Sequence, residues 1–183
     1  MGLFDQALKP SEEESLIINE LIETIQASLT SDLLKEEFVE GNKDNRFYGH
    51  CYVAAEALYH LLKEYGIDGY ESYIGRDENG YFHWWLQDHY GNILDPTKDQ
   101  YLSKRLEPPY KNGRRHQFVP ATHSKRAKIT PSDRAKELIE RVKNKIKERL
   151  GKTHGQETND CPSNQKEEGN KQIKSIQDSS RAH

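Results

Sequence analysis

Two glycine turns close together along the chain leave little choice of fold for the residues between them. Asn79-Gly80 and His89-Tyr90-Gly91 bracket Tyr81-Phe82-His83-Trp84-Trp85-Leu86-Gln87, an aromatic run with strand character. Glycine at the end of such a turn accepts the left-handed backbone that a tight antiparallel reversal needs. Short strands are therefore expected over 69–74, where Tyr70, Ser72 and Ile74 alternate, over 81–87, and over 92–95. Pairing Asp88 with Asn92 across the second turn sets Trp85 opposite Asp95. His83 then shares a face with Asp95, one diagonal step away and within reach of an aromatic side chain. A slip of one residue would send the two to opposite faces.

Ahead of these strands, Val53, Ala54, Ala57, Leu58, Leu61 and Leu62 draw a wide apolar stripe along a helix from about Cys51 to Tyr65. Gly66 supplies its stop. A stripe that wide marks a central helix. Ser11 and Glu14 form a capping box before an earlier helix faced by Ile18, Leu21, Ile22, Ile25 and Leu29. Ser31-Asp32 is expected to cap a short helix carrying Leu33, Leu34, Phe38 and Val39, with a loop over 41–46. Beyond Tyr101 the chain turns irregular and basic, broken by Pro108-Pro109 and Asn112-Gly113. Thr130 as cap and Pro131 at the first helical position open a last helix over 131–150, which Gly151 should end. Its stripe is Ala135, Leu138, Ile139, Val142, Ile146 and Leu150. The pattern is α+β: a central helix on a small antiparallel sheet, with flanking N- and C-terminal helices. Residues 1–150 are expected to form one domain with its core at about 33–102, followed by a disordered polar tail over 151–183.

Charge is divided along the chain far more sharply than the net of −3 suggests. Met1 to Tyr101 carry roughly −13, and Leu102 to Leu150 roughly +10. Either the basic segment docks on the acidic body, or it offers a face to nucleic acid or an acidic protein. The near match of the two charges favours docking. Cys51 and Cys161 are the only cysteines, too few for a disulfide framework, so a reducing, cytoplasmic setting is expected. No apolar run approaches the ~18 residues of a membrane span. Gln6 stands where a myristoylation signal starting at Gly2 would want Ser or Thr.

Cys51, His83 and Asp95 hold the chemistry. Cys51 opens its helix, where the N-terminal dipole favours a thiolate, and a nearby imidazolium favours it further. His83 lies on a strand, and Asp95 ends the next one, placed to accept the other ring N–H and fix the tautomer. Each residue alone has a duller use, as a buried hydrophobe, a satisfied strand histidine or a turn former. Their joint occurrence on compatible elements points to a nucleophile, its base and an orienting carboxylate. Trp85 shares the His83 face and is expected to wall a substrate cleft, with Trp84 turned to the core. His50, Cys51, His83, His89 and Asp95 could instead bind a metal, but no paired ligand motif supports this, and neither metal nor cofactor is expected.

The stretch Gly49-His50-Cys51, followed by a leucine-rich helix ending in Gly66-Ile67, resembles the nucleophile helix of transglutaminase-like proteins. His83-Trp84-Trp85 resembles that family's His-x-Trp, and Leu94-Asp95-Pro96-Thr97 its Asp-Pro-Thr strand end. The likeness covers about Tyr48 to Thr97. It implies a papain-like Cys-His-Asp core with catalytic Cys51, His83 and Asp95, acting on a peptide or protein amide through a thioester by hydrolysis or transfer. The family usually places a Trp or Gln oxyanion donor near the cysteine. Here the preceding stretch offers Asn42, Asn45 and Tyr48, and no acid cluster resembles a calcium site.

Overall fold

The structure is a computed structural model that describes residues 10–102, 105–118 and 130–156. It is an α+β arrangement of four helices and one four-stranded antiparallel sheet. Helix α1 (Glu12–Gln26) opens on the expected capping box: Glu14 N–H donates to Ser11 Oγ at 3.1 Å, and Ser11 N–H to the Glu14 carboxylate at 2.8 Å. The next stretch departs from expectation. A 3-10 turn over Ser31–Leu33 and helix α2 (Glu36–Asn42) replace a single short helix, because Leu34 and Lys35 are extended between them. That break buries both Leu33 and Leu34. Helix α3 (Cys51–Glu64) is central, with Val53, Ala54, Ala55, Ala57, Leu58, Leu61 and Leu62 in the core. Its run of alanines lets α1, the last helix and the sheet all approach closely. Gly66 follows at φ 74°, the left-handed stop that the sequence called for.

The sheet contains β1 (Glu71–Arg76), β2 (Phe82–Gln87), β3 (Ile93–Leu94) and β4 (Arg114–Arg115), in the order β3-β2-β1-β4. The first hairpin closes with Asp77 N–H on Tyr81 O at 2.9 Å, around Glu78-Asn79-Gly80. The second closes with Asp88 N–H on Asn92 O at 3.1 Å, and Gly91 lies at φ 91°. Leu86 faces Leu94 and Gln87 faces Ile93, the register that brings His83 and Asp95 to one face. Strand β1 starts and ends two residues later than expected, because its ladder with β2 extends to Arg76 opposite Phe82. The two-residue β4, on the far edge of β1, has no periodicity by which sequence could reveal it.

Helix α4 (Asp133–Gln156) corrects two expectations. Ser132, not Thr130, takes the cap position: its Oγ accepts from Ala135 N–H at 3.3 Å and its carbonyl from Lys136 N–H at 2.8 Å. Glu56, fully buried on α3, holds Ser132 there by accepting from its N–H at 3.0 Å and its Oγ–H at 2.6 Å. Gly151 does not stop the helix, which runs on to Gln156 with Gly151 outside the left-handed region. The first six residues of the expected tail, 151–156, are therefore helical, and residues 157–183, with Cys161, lie outside the described residues. Ala135, Leu138, Ile139 and Val142 are buried, whereas Leu150 is exposed.

Basic side chains of α4 meet the acidic body: Arg141 pairs with Asp32 at 2.6 Å and Lys143 with Glu64 at 2.7 Å. No helix among the described residues is long and apolar enough to cross a membrane. The Glu56–Ser132 contact is the buried polar tie between α3 and α4. Glu56→Ala is expected to lower stability by about 2–3 kcal/mol, read as a lower urea midpoint, while Glu56→Gln, which keeps an acceptor, loses less.

Candidate active site

Cys51 is the first residue of α3, and the turn before it depends on a glycine. Gly49 sits at φ 82°, and a Cβ there would come within 2.5 Å of Phe38 Cβ. The thiol is largely buried, its Sγ 3.8 Å from Phe82 O, but it lines a cavity of about 700 Å³. His83 projects from the face of β2 opposite Trp84 and Leu86 and is 1% exposed. Its Nε2–H donates to Asp95 Oδ2 at 2.6 Å, across the diagonal that the hairpin register set up. The other nitrogen, Nδ1, lies 3.0 Å from Gln100 Nε2. Cys51 lies close enough to the same ring to favour its charged form, while the thiol's own hydrogen bond goes to Phe82 O. The three expected residues therefore converge.

Asp95 is nearly sealed, and every lone pair it turns inward is occupied. Oδ1 accepts from Thr97 N–H at 2.8 Å and Thr97 Oγ1–H at 3.1 Å. Oδ2 accepts from Tyr110 O–H at 2.8 Å as well as from His83. Burial works against charge on both partners. Their mutual attraction outweighs it, holding His83 above and Asp95 below their ordinary ranges, with the Cys51 sulfur and the Tyr110 hydroxyl reinforcing these shifts. A base with that much affinity for a proton can draw the thiol proton onto Nδ1 once the Gln100 amide, which donates to Nδ1 at 3.0 Å, turns aside. Asp95 keeps the ring oriented while it does so.

Trp85 corrects an expectation. It shares the His83 face but is 0% exposed, stacked beside the imidazole at 6.0 Å and flanked by Tyr73 and Tyr110. Gly75 packs so closely against it that a Cβ there would lie 3.0 Å from the indole. Trp85 therefore backs His83 and cannot wall the cleft. Trp84 packs on the core as expected, and on Tyr52 at 5.0 Å, and it also lines the cavity.

The oxyanion candidates also separate. Asn42 donates to Arg46 O at 3.0 Å and Tyr48 O at 2.9 Å, and Asn45 donates to Gln100 O at 2.8 Å, so both shape the loop. Tyr48 lines the cavity with Cys51, its phenol raised by burial. Thr97, Gln100, Tyr101 and Tyr110 were not foreseen. Thr97 had a signal, since Asp side chains commonly accept from the backbone two residues on. Tyr110 had none, being joined to Asp95 only by the chain's return. Among the described residues, no group of three His, Cys, Asp or Glu side chains could hold a metal.

Protein-family models, curated proteins and solved structures show no match to this chain. The site must therefore be read from its own geometry.

His50, next to Cys51, is 0% exposed and neither ring nitrogen has a hydrogen-bond partner. Burial, helped by Arg134, lowers its pKa to about 4. An unfolded chain takes up this proton near pH 6.5, whereas the folded one does so only near pH 4. Stability is therefore expected to fall as pH drops through that window, by up to about 1.4 kcal/mol per pH unit. Urea midpoints at neutral and mildly acidic pH should show a shallower decline for His50→Asn than for the natural chain.

Proposed function

We propose that this protein is a thiol acyl-transfer enzyme with a transglutaminase-like core, acting on an amide or isopeptide bond of a peptide or protein. The observation that carries this reading is the buried His83–Asp95 hydrogen bond beside Cys51, whose thiol opens on a cavity large enough for a substrate. Nδ1 of His83 takes the thiol proton and the sulfur attacks the carbonyl carbon. As the C–N bond breaks, His83 returns the proton to the leaving amine, and a thioester to Cys51 remains. An incoming water then gives a proton to His83 as its oxygen bonds to the carbonyl carbon. The C–S bond breaks, the acid leaves and the thiol is restored. An amine could replace water, but nothing at the site selects for one, so hydrolysis is the preferred reading. The N–H of Cys51 at its helix start and the Tyr48 hydroxyl are the donors best placed by position to face a developing oxyanion. A free nucleophilic thiol suits a reducing, cytoplasmic setting.

The alternative is a binding module in which the basic segment 102–150 contacts nucleic acid or an acidic protein. Against it, Arg115, Arg141 and Lys143 direct their charge at Glu71, Asp32 and Glu64 of the same chain. Phosphate-driven binding would weaken steeply with salt, which makes that reading easy to separate.

Iodoacetamide labelling near pH 6 tests the thiol. Cys51 is expected to alkylate at least ~10-fold faster than Cys161 of the same chain, because an unassisted thiol is mostly protonated at that pH. His83→Ala and Asp95→Asn should remove the difference. Equal or slower labelling of Cys51, repeated with a smaller thiosulfonate reagent to exclude occlusion, would overturn the proposal.

A further inference from the structure

We infer that the Cys51 cavity takes an acyl group with an anionic far end, joined to the reacting carbonyl by an apolar or aromatic stretch. The inference rests on the reading of Cys51 as nucleophile and adds the substrate's chemical class. The floor of the cavity is a row across three strands. Trp84 of β2 faces Ile74 of β1, and Ile74 faces Arg114 of β4. Tyr52, one residue past the thiol, packs edge-on to Trp84 at 5.0 Å, so the floor begins beside the sulfur with aromatic surface. It ends at a guanidinium. Arg134, near the start of α4, lines the same cavity, together with Ser132.

These two arginines have charge to offer. Arg114 has no carboxylate partner among the described residues, whereas its neighbour Arg115 is paired with Glu71 at 2.5 Å. Arg134 makes one hydrogen bond, 3.0 Å to the carbonyl of Leu33, and no ion pair among the described residues. The acids on the cavity wall do not cancel them. Asp77 Oδ1 accepts from Asn79 N–H and Tyr81 N–H at 2.9 Å each, and Tyr101 lies close enough to feel its charge. Glu37 is exposed on α2, with Lys35 close by in sequence and on the same wall. A partly enclosed, mostly apolar wall strengthens what remains of the positive field. Planar guanidinium groups bind carboxylate and phosphate oxygens in pairs, so either oxyanion fits this end.

Chloroacetyl probes read this directly, because sulfur forms a C–S bond as chloride leaves and no other reactant is needed. Four probes share a benzylamide arm and differ at the para position, carrying a carboxylate, a phosphate, a neutral carboxamide or an ammonium group. The full chain is labelled with each, and second-order rates at Cys51 are compared. The carboxylate or phosphate probe is expected to exceed the neutral one by about 10-fold, with the ammonium probe slowest and the preference shrinking as salt is added. Whichever of the two anions reacts faster names the natural oxyanion. Arg114→Gln, on an edge strand, should reduce the ratio of the anionic to the neutral probe's rate. Arg134→Gln should reduce it further, and Arg134→Lys should retain it. A neutral probe matching the anionic ones, or a preference that survives both glutamine substitutions, overturns the inference while leaving Cys51 a nucleophile. A neutral probe that labels Cys51 no faster than Cys161 instead removes the nucleophile reading, and this inference with it.

Discussion

The contact between His83 and Asp95 is the constraint around which the rest of the site is arranged. At 2.6 Å and almost without solvent, it places an imidazole and a carboxylate where charge is costly unless every polar atom has a partner. The fold supplies those partners from three separate places. The hairpin register brings the two side chains together. The turn after β3 wraps Thr97 back onto one carboxylate oxygen. The return of the chain around 110 lays a tyrosine hydroxyl on the other. Trp85, sealed behind the ring, fixes its plane. What the imidazole has left is Nδ1, which accepts from Gln100 Nε2–H at 3.0 Å on the side of the ring near Cys51.

The second structural decision lies in the first two turns of the same central helix. At its start, Gly49 lets the backbone turn sharply enough to place the thiol at the helix N-terminus, against β2. One turn farther along, Glu56 reaches the other way and fixes the beginning of α4. That attachment carries Arg134 to the wall of the cavity opened by Cys51. A buried carboxylate with no chemical duty of its own thus helps define what the reactive sulfur can meet. Two of the basic side chains of α4, Arg141 and Lys143, pair with Asp32 and Glu64 of the acidic body.

Much of this was legible from local pattern. Gly91 fixed the second hairpin, the hairpin fixed the register, and the register put His83 and Asp95 on one face. Gly66 and the apolar stripe located the helix that carries Cys51. What escaped was nonlocal. Tyr110 is fifteen residues from Asp95 in sequence and signals nothing about where it will land. Trp85 was placed on the right face, but facing alone cannot distinguish a cleft wall from a sealed backing, which depended on Gly75 and Gly113 closing over it. The cap of α4 fell on Ser132 instead of Thr130 because a distant glutamate held it there. Gly151 did not end the helix because a glycine stop needs a left-handed residue, and this one remained helical.

The charge state of the His83 ring tests the account most directly, and nitrogen-15 NMR of the imidazole measures it. The account predicts a doubly protonated ring well above neutral pH in the natural chain, falling below the ordinary histidine range, where burial alone drives it, when Asp95 is replaced by Asn. A ring that is already neutral at pH ~7 with Asp95 in place, or one indifferent to that replacement, would contradict it.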